Sequence, residues 1–432
     1  MVSVWLLGFS VSQRQHERQR QQQQCVEHQL LVAPRPDGNS IKPIKGDDSL
    51  IQNINAKSMR GVELFVMFHY DELRYGWKEE SRGKHDAPNQ QKYRYNLEDN
   101  LYELQRRLKH RQFKPSPLRI KKIYYPKRRQ AQVPSQEDKI VQHVICDNYV
   151  YKPMTIPLVK EASANTRGRG TDYGVKLLKE NMRQFWLDNR MPPYILKGDV
   201  HSFFYSIPHD RAKALIDRYI ENPEIIYIMK QFVDLTMLGL PLGLQQSQLL
   251  ANLYLSEFDH KVKERWHIKF YGRHMDDFYI MANNKEKLEE IWAWCIEYFA
   301  TIGLELNPKT AIFYRQFDYL GFHFVMSDSG KVIVRLAKNK LAAKRRHLKK
   351  LVEHLRNGII DTTRFETAYF GWRAYASKAK NARTQILNMD RYVDGLLAKI
   401  GLQLTIYHIN KGKIRWRVAV GQRSDIIGSN NS

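Results

Sequence analysis

The chain has 432 residues, 43% apolar and 27% charged, which suits a globular protein of roughly two or three subdomains and excludes a disordered chain. A formal net charge of +25 argues against an enzyme of small metabolites and for a polyanion partner, since phosphate neutralisation and counterion release drive such binding. The three cysteines, Cys25, Cys146 and Cys295, are too few and too far apart for a disulfide framework or a Cys-x-x-Cys zinc knuckle, and they fit a reducing, cytoplasmic setting.

Residues 2–11 are apolar but too short for a membrane span, and no basic residues precede them as in a signal peptide. No amphipathic helix with a bulky apolar face offers a membrane anchor. A Gln/Arg-rich run follows at 14–24. Residues 1–55 are therefore expected to be a disordered tail, or to reflect an upstream start codon. A helix is expected within 59–77, a polar loop over 83–91 and a helix over 96–110, where Leu97, Leu101, Leu104 and Leu108 recur at helical spacing. Between 102 and 129 there are eleven Lys/Arg against one acid, Glu103. Within that window 118–125 alternates as a strand, 126–130 reads as a turn and 131–134 as the return strand. Such a basic hairpin either contacts a phosphate-rich ligand or is simply solvated.

Ser135 begins a helix cap ahead of 139–145. The segment 162–171 holds Arg167-Gly168-Arg169-Gly170 before a helix over 172–189. Backbone can approach a ligand closely there and arginines suit phosphate, although two glycines before a helix also make an ordinary turn. An apolar strand, 194–199, ends at Asp199; Phe203 and Phe204 follow, with a helix after Pro208. Next come an apolar helix over 222–238, a loop over 239–248 and a helix over 249–263.

The stretch 267–281 reads as a β-hairpin with Asp276 and Asp277 at its tip. Two adjacent carboxylates on a rigid turn repel unless something positive sits beside them, and hard oxygen ligands suit Mg²⁺. A solvated turn is the bland alternative for any lone Asp-Asp. A helix over 286–301, a turn or short strand over 303–310, one strand over 317–324 and a turn at 327–330 complete this part. That turn is read as a hairpin turn into 331–336, and the remainder to about 400 is expected to be helical. Residues 331–400 hold seventeen Lys/Arg, five Asp/Glu and interleaved aromatics, a composition that suits a nucleic-acid backbone or a solvated bundle face.

This order of elements gives two helices on one face of an antiparallel sheet, with Asp199 and Asp276 meeting at adjacent strand ends. Carboxylates so placed can hold two metal ions for in-line nucleotidyl transfer. The ordered set Asp199-x-x-x-Phe203-Phe204, Gly243-x-x-x-Ser247-Gln248, His274-Met275-Asp276-Asp277, Asn307-Pro308-Lys309 and Tyr319-Leu320-Gly321-Phe322 resembles the prokaryotic reverse transcriptases of the group II intron and retron-like superfamily. The segments 137–142 and 167–171 resemble that family's finger motifs. Leu242-Gly243-x-x-x-Ser247-Gln248 resembles the form found in diversity-generating retroelement and unclassified phage-defence enzymes.

The resemblance implies an α+β right-hand fold. Residues 56–190 would form N-terminal helices and fingers, 191–330 a palm, 331–400 a basic helical thumb and 401–432 a C-terminal extension. It implies an RNA-directed DNA polymerase in a bacterial or phage retroelement or antiviral system, with a catalytically reduced, maturase-like RNA-binding protein as the alternative. Asp199, Asp276, Asp277 and the Val200 carbonyl would bind two Mg²⁺ ions, or Mn²⁺ in their place, and Lys309 would act at the leaving phosphate. Phe204, Leu242, Gly243, Ser247, Gln248, Arg128 and Arg129 would line the nucleotide. His274, standing where the family has Tyr, with Met275, Arg167, Lys344, Arg345, Arg346 and Trp372, would face primer and template. Partners would be an RNA template, a DNA or RNA primer, dNTPs and a dedicated noncoding RNA or accessory protein, in the cytoplasm and away from membranes.

Overall fold

A computed structural model describes residues 67–84, 87–123, 129–409 and 413–420, all within the unit Val62–Ser432. The tail expected over 1–55 and the first part of the helix expected over 59–77 lie outside the described residues.

Three helices open the described chain: α1 (Tyr70–Ser81), α2 (Pro88–Tyr95) and α3 (Leu97–Lys109). The polar stretch expected as a loop to residue 91 already turns helical at Pro88, whose fixed φ suits a first helical position. The basic hairpin is β1 (Arg119–Ile123) and β2 (Arg129–Val133), paired from Arg119↔Val133 to Ile123↔Arg129. Helix α4 (Gln136–Ile145) starts at a capping box of Ser135 and Asp138. It passes through one π-helical turn, Cys146–Val150, into α5 (Tyr151–Thr155). Helix α6 (Thr171–Asn189) follows the Gly/Arg segment.

The central sheet has the order β4-β5-β3-β6, all antiparallel, from β3 (Tyr194–Asp199), β4 (Tyr271–His274), β5 (Asp277–Ala282) and β6 (Ala311–Tyr314). Between β3 and β4 lie α7 (Phe203–Ser206), α8 (His209–Tyr219), α9 (Pro223–Val233), α10 (Gln245–Tyr254) and α11 (Ser256–Glu264). Three expectations shift here. The helix expected to 238 ends at Val233, the loop expected to 248 gives way to helix at Gln245, and the helix expected over 249–263 breaks at Leu255.

After β5 comes α12 (Lys285–Thr301). The single strand expected over 317–324 is two, β7 (Gln316–Tyr319) and β8 (Phe322–Met326), because Leu320 and Gly321 both take positive φ and reverse the chain. With β9 (Val332–Leu336) they form a second sheet. Helices α13 (Lys338–Arg356), α14 (Thr362–Ala376) and α15 (Arg383–Ala398) have their own core of Leu348, Val352, Phe365, Tyr369 and Val393. The hairpin β10 (Leu402–Ile409) and β11 (Lys413–Val420) follows.

The central sheet is covered on both faces, not one. Leu196, Phe278 and Ile280 share a core with Phe258 of α11 and with Leu288, Ile291, Cys295 and Phe299 of α12. Ile195, Tyr279 and Met281 point the other way, into a core with Leu178, Met182 and Phe185 of α6 and the aromatics of β7–β8. A strand buried on both faces is apolar at successive positions, which is why 278–282 reads as a continuous run. Gly198 is needed where β3 meets β5: a Cβ there would lie 2.2 Å from the Phe278 ring.

Candidate active site

Strands β3 and β5 pair in register from Tyr194↔Ala282 to Asp199↔Asp277, so the two carboxylates stand opposite each other on one face at one sheet end. Strand β4 closes on β5 through His274↔Asp277, leaving Met275 and Asp276 as a two-residue turn with Met275 at φ +58°. Asp276 thus adjoins Asp199 from the turn. Burial pushes the Asp276 carboxyl up to about 6, with Asp199 adding to the rise. Burial likewise pushes Asp277 up to about 7; Asp199 and Asp276 reinforce it and the Lys197 ammonium opposes it.

The turn is held from behind by a fully buried ion pair. Arg273 Nε and Nη2 reach the two Asp259 oxygens at 2.6 and 2.5 Å, both side chains having no solvent exposure. Nη1 donates to Asn252 Oδ1 at 2.9 Å and to the Met275 carbonyl at 3.0 Å, the peptide just before Asp276. Burial alone would lower the Arg273 pKa, but the Asp259 charge and hydrogen bonds raise it. Ser163 Oγ lies 2.9 Å from His274 Nδ1, and Asn165 Nδ2 lies 3.0 Å from Met275 Sδ. The edge of β4 is covered by 161–163, through Arg273 N–H to the Glu161 carbonyl and Ser163 N–H to the Arg273 carbonyl.

Two side chains without an expected role complete the carboxylate cluster. Asn307 Nδ2 donates to Asp199 Oδ2 at 3.1 Å, while its N–H donates to the Asp199 carbonyl at 2.7 Å. Lys197 Nζ stands 3.3 Å from Asp277 Oδ1. Lys197 was findable, being two residues before Asp199 and hence on its face of the strand. The Arg273–Asp259 pair was not, because its partners sit on different elements. Only an arginine inside an otherwise apolar stretch hinted at it.

The chemistry of the donor set fits divalent cations. Asp277 Oδ1 is buried with the Lys197 ammonium 3.3 Å away, and two carboxyls carry raised pKa values that a cation would reverse. No group of three or more His, Cys, Asp or Glu among the described residues encloses an ion by itself. An ion held by two carboxylates and completed by substrate phosphates and water needs no such cage.

A cleft of about 590 Å³ runs from Lys197, Asp199 and Asp277 past Asp318, Tyr319 and Gly321 to Lys344 and Trp372. A second, of about 580 Å³, joins Arg167, Gly243 and Gln248 with Asp147 and Tyr151. Arg167 lies 4.3 Å over the Tyr151 ring and 3.2 Å from Asp147. Phe203 is buried, whereas Phe204 is half-buried and shows part of its ring. Gly243 has φ +101°, and a Cβ there would lie 2.5 Å from the Gln132 carbonyl of β2. The Leu242 N–H donates to Gln132 Oε1 at 2.7 Å, so Leu242 joins fingers to palm through its backbone. Ser247 and Gln248 lie on α10, Ser247 buried with an unpartnered Oγ and Gln248 exposed.

Other expected residues stand apart from the carboxylates or are occupied. Lys309 is exposed at the 308–309 turn, and its N–H donates to Asn307 Oδ1. Arg128 lies outside the described residues, and Arg129 is placed only as the first residue of β2. Arg345 and Arg346 are exposed on α13, with Arg345 5.4 Å over the Tyr392 ring. The Lys344 expectation needs correction: Lys344 lines the cleft but is buried and donates to the Ala368 carbonyl at 2.9 Å, and burial lowers its pKa to about 8. It is a thumb packing residue rather than an exposed cation for phosphate.

An α+β fold with carboxylates paired at the end of an antiparallel sheet, fingers before it and a helical unit after it, is that of a right-hand polymerase. Residues 120–324 match the family model described as reverse transcriptase (RNA-dependent DNA polymerase). The retron Ec73 reverse transcriptase of Escherichia coli is 23% identical over 214 residues, 46% of this chain and 61% of that protein. An uncharacterized 91 kDa protein in cob intron of Schizosaccharomyces pombe is 27% identical over 142 residues, 30% of this chain and 16% of that protein. The chain thus spans less than two thirds of either relative. Among solved structures, apo telomerase from Candida tropicalis truncated from its C-terminal domain has a TM-score of 0.40 at 15% identity, covering 54% of this chain and 60% of that one.

Proposed function

We propose that the chain is an RNA-directed DNA polymerase, copying an RNA template from a DNA or RNA primer with dNTPs in a bacterial or phage retroelement or antiviral defence system. The observation that carries this reading is the Asp199↔Asp277 pairing with Asp276 in the adjoining turn, inside the segment that matches the reverse transcriptase family. Asp199, Asp276 and the Val200 carbonyl would hold Mg²⁺ or Mn²⁺, with Asp277 beside them. Bound there, the cations supply charge stabilisation at the attacking 3′-oxygen and the leaving pyrophosphate. Asn307 keeps Asp199 oriented and Arg273 fixes the turn that presents Asp276. Gly243, Gln248 and Arg167 line the fingers side, where template and triphosphate phosphates would meet positive charge. No helix among the described residues is long and apolar enough to cross a membrane. Extension of a DNA primer on an RNA template with Mg²⁺ and dNTPs tests the proposal. Template-dependent DNA is expected, and its absence in both Mg²⁺ and Mn²⁺ would reject it.

Phe204 is the proposed sugar gate. Its carbonyl accepts from the Leu240 N–H at 2.6 Å and its partly buried side chain packs against the core that Phe203 fills, so the residue is held five positions after Asp199. A rigid ring near the nucleotide excludes a 2′-hydroxyl by overlap. Phe204→Val should raise rNTP over dNTP incorporation about ten-fold or more, equivalent to about 1.4 kcal/mol. Single-nucleotide extension normalised to active enzyme reads the ratio, and an unchanged ratio removes Phe204 from sugar selection.

The thumb prediction uses the exposed arginines only. Arg345→Gln/Arg346→Gln should weaken primer–template binding and make log K less steep in log salt by about 1–2, near 0.9 per lost phosphate contact. Salt titrations by fluorescence anisotropy check this, and an unaltered slope would place the duplex elsewhere.

A further inference from the structure

Away from the catalytic cleft, a groove of about 420 Å³ lies between α6 and the segment that follows α14. Its walls carry five cations, Lys176, Lys179 and Arg183 from α6 and Lys378 and Lys380 opposite, with Val175 and Val334 between them. Asp172 and Glu180 are the acids that line it. Asp172 is neutralised by Lys378 at 2.6 Å. Among the described residues, Lys176, Lys179, Arg183 and Lys380 make no ion pair, although a chain folding for stability alone would separate or pair such charges.

The groove is preformed. The far wall is anchored to β9 by reciprocal bonds: Val334 N–H donates to Asn381 Oδ1 at 3.1 Å and Asn381 N–H donates to the Val334 carbonyl at 3.2 Å. The near wall is fixed because α6 packs tightly at Gly174, where a Cβ would lie 2.8 Å from Leu320 Cδ1 and 2.9 Å from Ser163 Oγ. Lys176 to Arg183 spans seven residues, roughly 10 Å of helix at 1.5 Å per residue. That length serves more than one phosphate, and an arginine fork can take two oxygens of one. The aliphatic floor and the volume, within the roughly 300–1,000 Å³ of small-ligand pockets, admit a single base but no duplex. Trp372 and Tyr375 of α14 line the catalytic cleft, and Lys378 and Lys380 of the groove follow Tyr375 within five residues in the chain.

We propose that this groove binds a single-stranded stretch of RNA outside the catalytic cleft, its phosphates on Lys176, Lys179, Arg183 and Lys380 and a base on Val175 and Val334. The site rests on the reading of the chain as a polymerase of RNA templates and gives it a second hold on that RNA. The test uses the full chain with Lys179→Ala/Arg183→Ala/Lys380→Ala, and with the three positions set to Lys179→Arg, Arg183→Lys and Lys380→Arg as the charge-preserving control. The probe is a 5′-labelled oligo(U) of thirty nucleotides, about 30 in round figures, with oligo(dT) alongside.

The alanine variant should bind oligo(U) about ten-fold more weakly at moderate salt, with the slope of log K against log salt reduced by about 2, near 0.7 per lost single-strand contact. The control should keep the wild-type slope. Ultraviolet crosslinking of oligo(U) should label the peptide around 175–183 in the wild type and lose that label in the alanine variant. Extension of a short primer–template duplex that fills only the cleft should be unchanged. Equal affinity and slope for wild type and alanine variant, or crosslinks confined to the cleft, would overturn the proposal. So would equal dependence of oligo(dT) on the three residues with no binding of oligo(U). Failure of the wild type to extend the duplex would reject the polymerase reading instead, and it leaves the crosslink and slope to decide the groove.

Discussion

Asp276→Asn and Asp199→Asn are each expected to abolish primer extension, by a thousand-fold or more on the order of 4 kcal/mol of transition-state stabilisation. Each substitution keeps shape and removes one charge from the set that faces the cations. Stability should not fall with activity. In metal-free protein the Asp277 carboxyl has its pKa raised from 3.8 to about 7, chiefly by burial and then by Asp199 and Asp276. A carboxyl raised in the folded state binds more protons folded than unfolded between those values, so stability falls as pH rises from about 4 to 7 and stays low above. Solvent reaches 24% of the Asp277 side chain, which reduces the penalty to about 1–3 kcal/mol at pH 8. Asp277→Asn should therefore be more stable than wild type at pH 8 in EDTA, with the gain vanishing near pH 4. Thermal melts across pH with extension assays on the same preparations check this. Retained polymerisation by Asp276→Asn/Asp277→Asn would sink the catalytic assignment.

Arg273→Leu is expected to destabilise the protein by about 3–5 kcal/mol, because it strands the Asp259 carboxylate in a site with no solvent exposure. Asp259 also accepts from the Tyr271 hydroxyl, so its charge cannot be relocated cheaply. The paired variant Arg273→Leu/Asp259→Leu removes both charges and should recover most of that stability. It should not recover activity, since the Met275 carbonyl loses its Nη1 donor and the turn before Asp276 loses its restraint. Urea denaturation reads the first effect and primer extension the second. A loss below about 1 kcal/mol for Arg273→Leu would mean the pair is not closed in solution, and full activity in the double variant would show that the turn holds itself.

The meeting of Asp199 with Asp276 and Asp277 was legible from sequence for a local reason. Asp199 ends one β-prone run and Asp276-Asp277 begins another, and period-2 burial places the paired residues of neighbouring strands on one face. The helix over 97–109, the hairpin 119–133 and the start of α6 were legible from leucine spacing, alternation and turn residues in the same way. Tertiary structure decided the rest. Whether the central sheet was covered on one face or two depended on how α6 and β7–β8, which adjoin its strands β3 and β6 in sequence, fold back onto it. The split of 317–324 turned on positive φ at Leu320 and Gly321, a conformation that Leu does not advertise. A basic run such as Lys344-Arg345-Arg346 looks uniform along the chain, yet the helical rotation of about 100° per residue buries Lys344 against the Ala368 carbonyl and leaves its neighbours in solvent. The partners of Asp199 and Arg273, namely Asn307 and Asp259, are brought to them by chain reversals whose pairing energy no window of sequence contains.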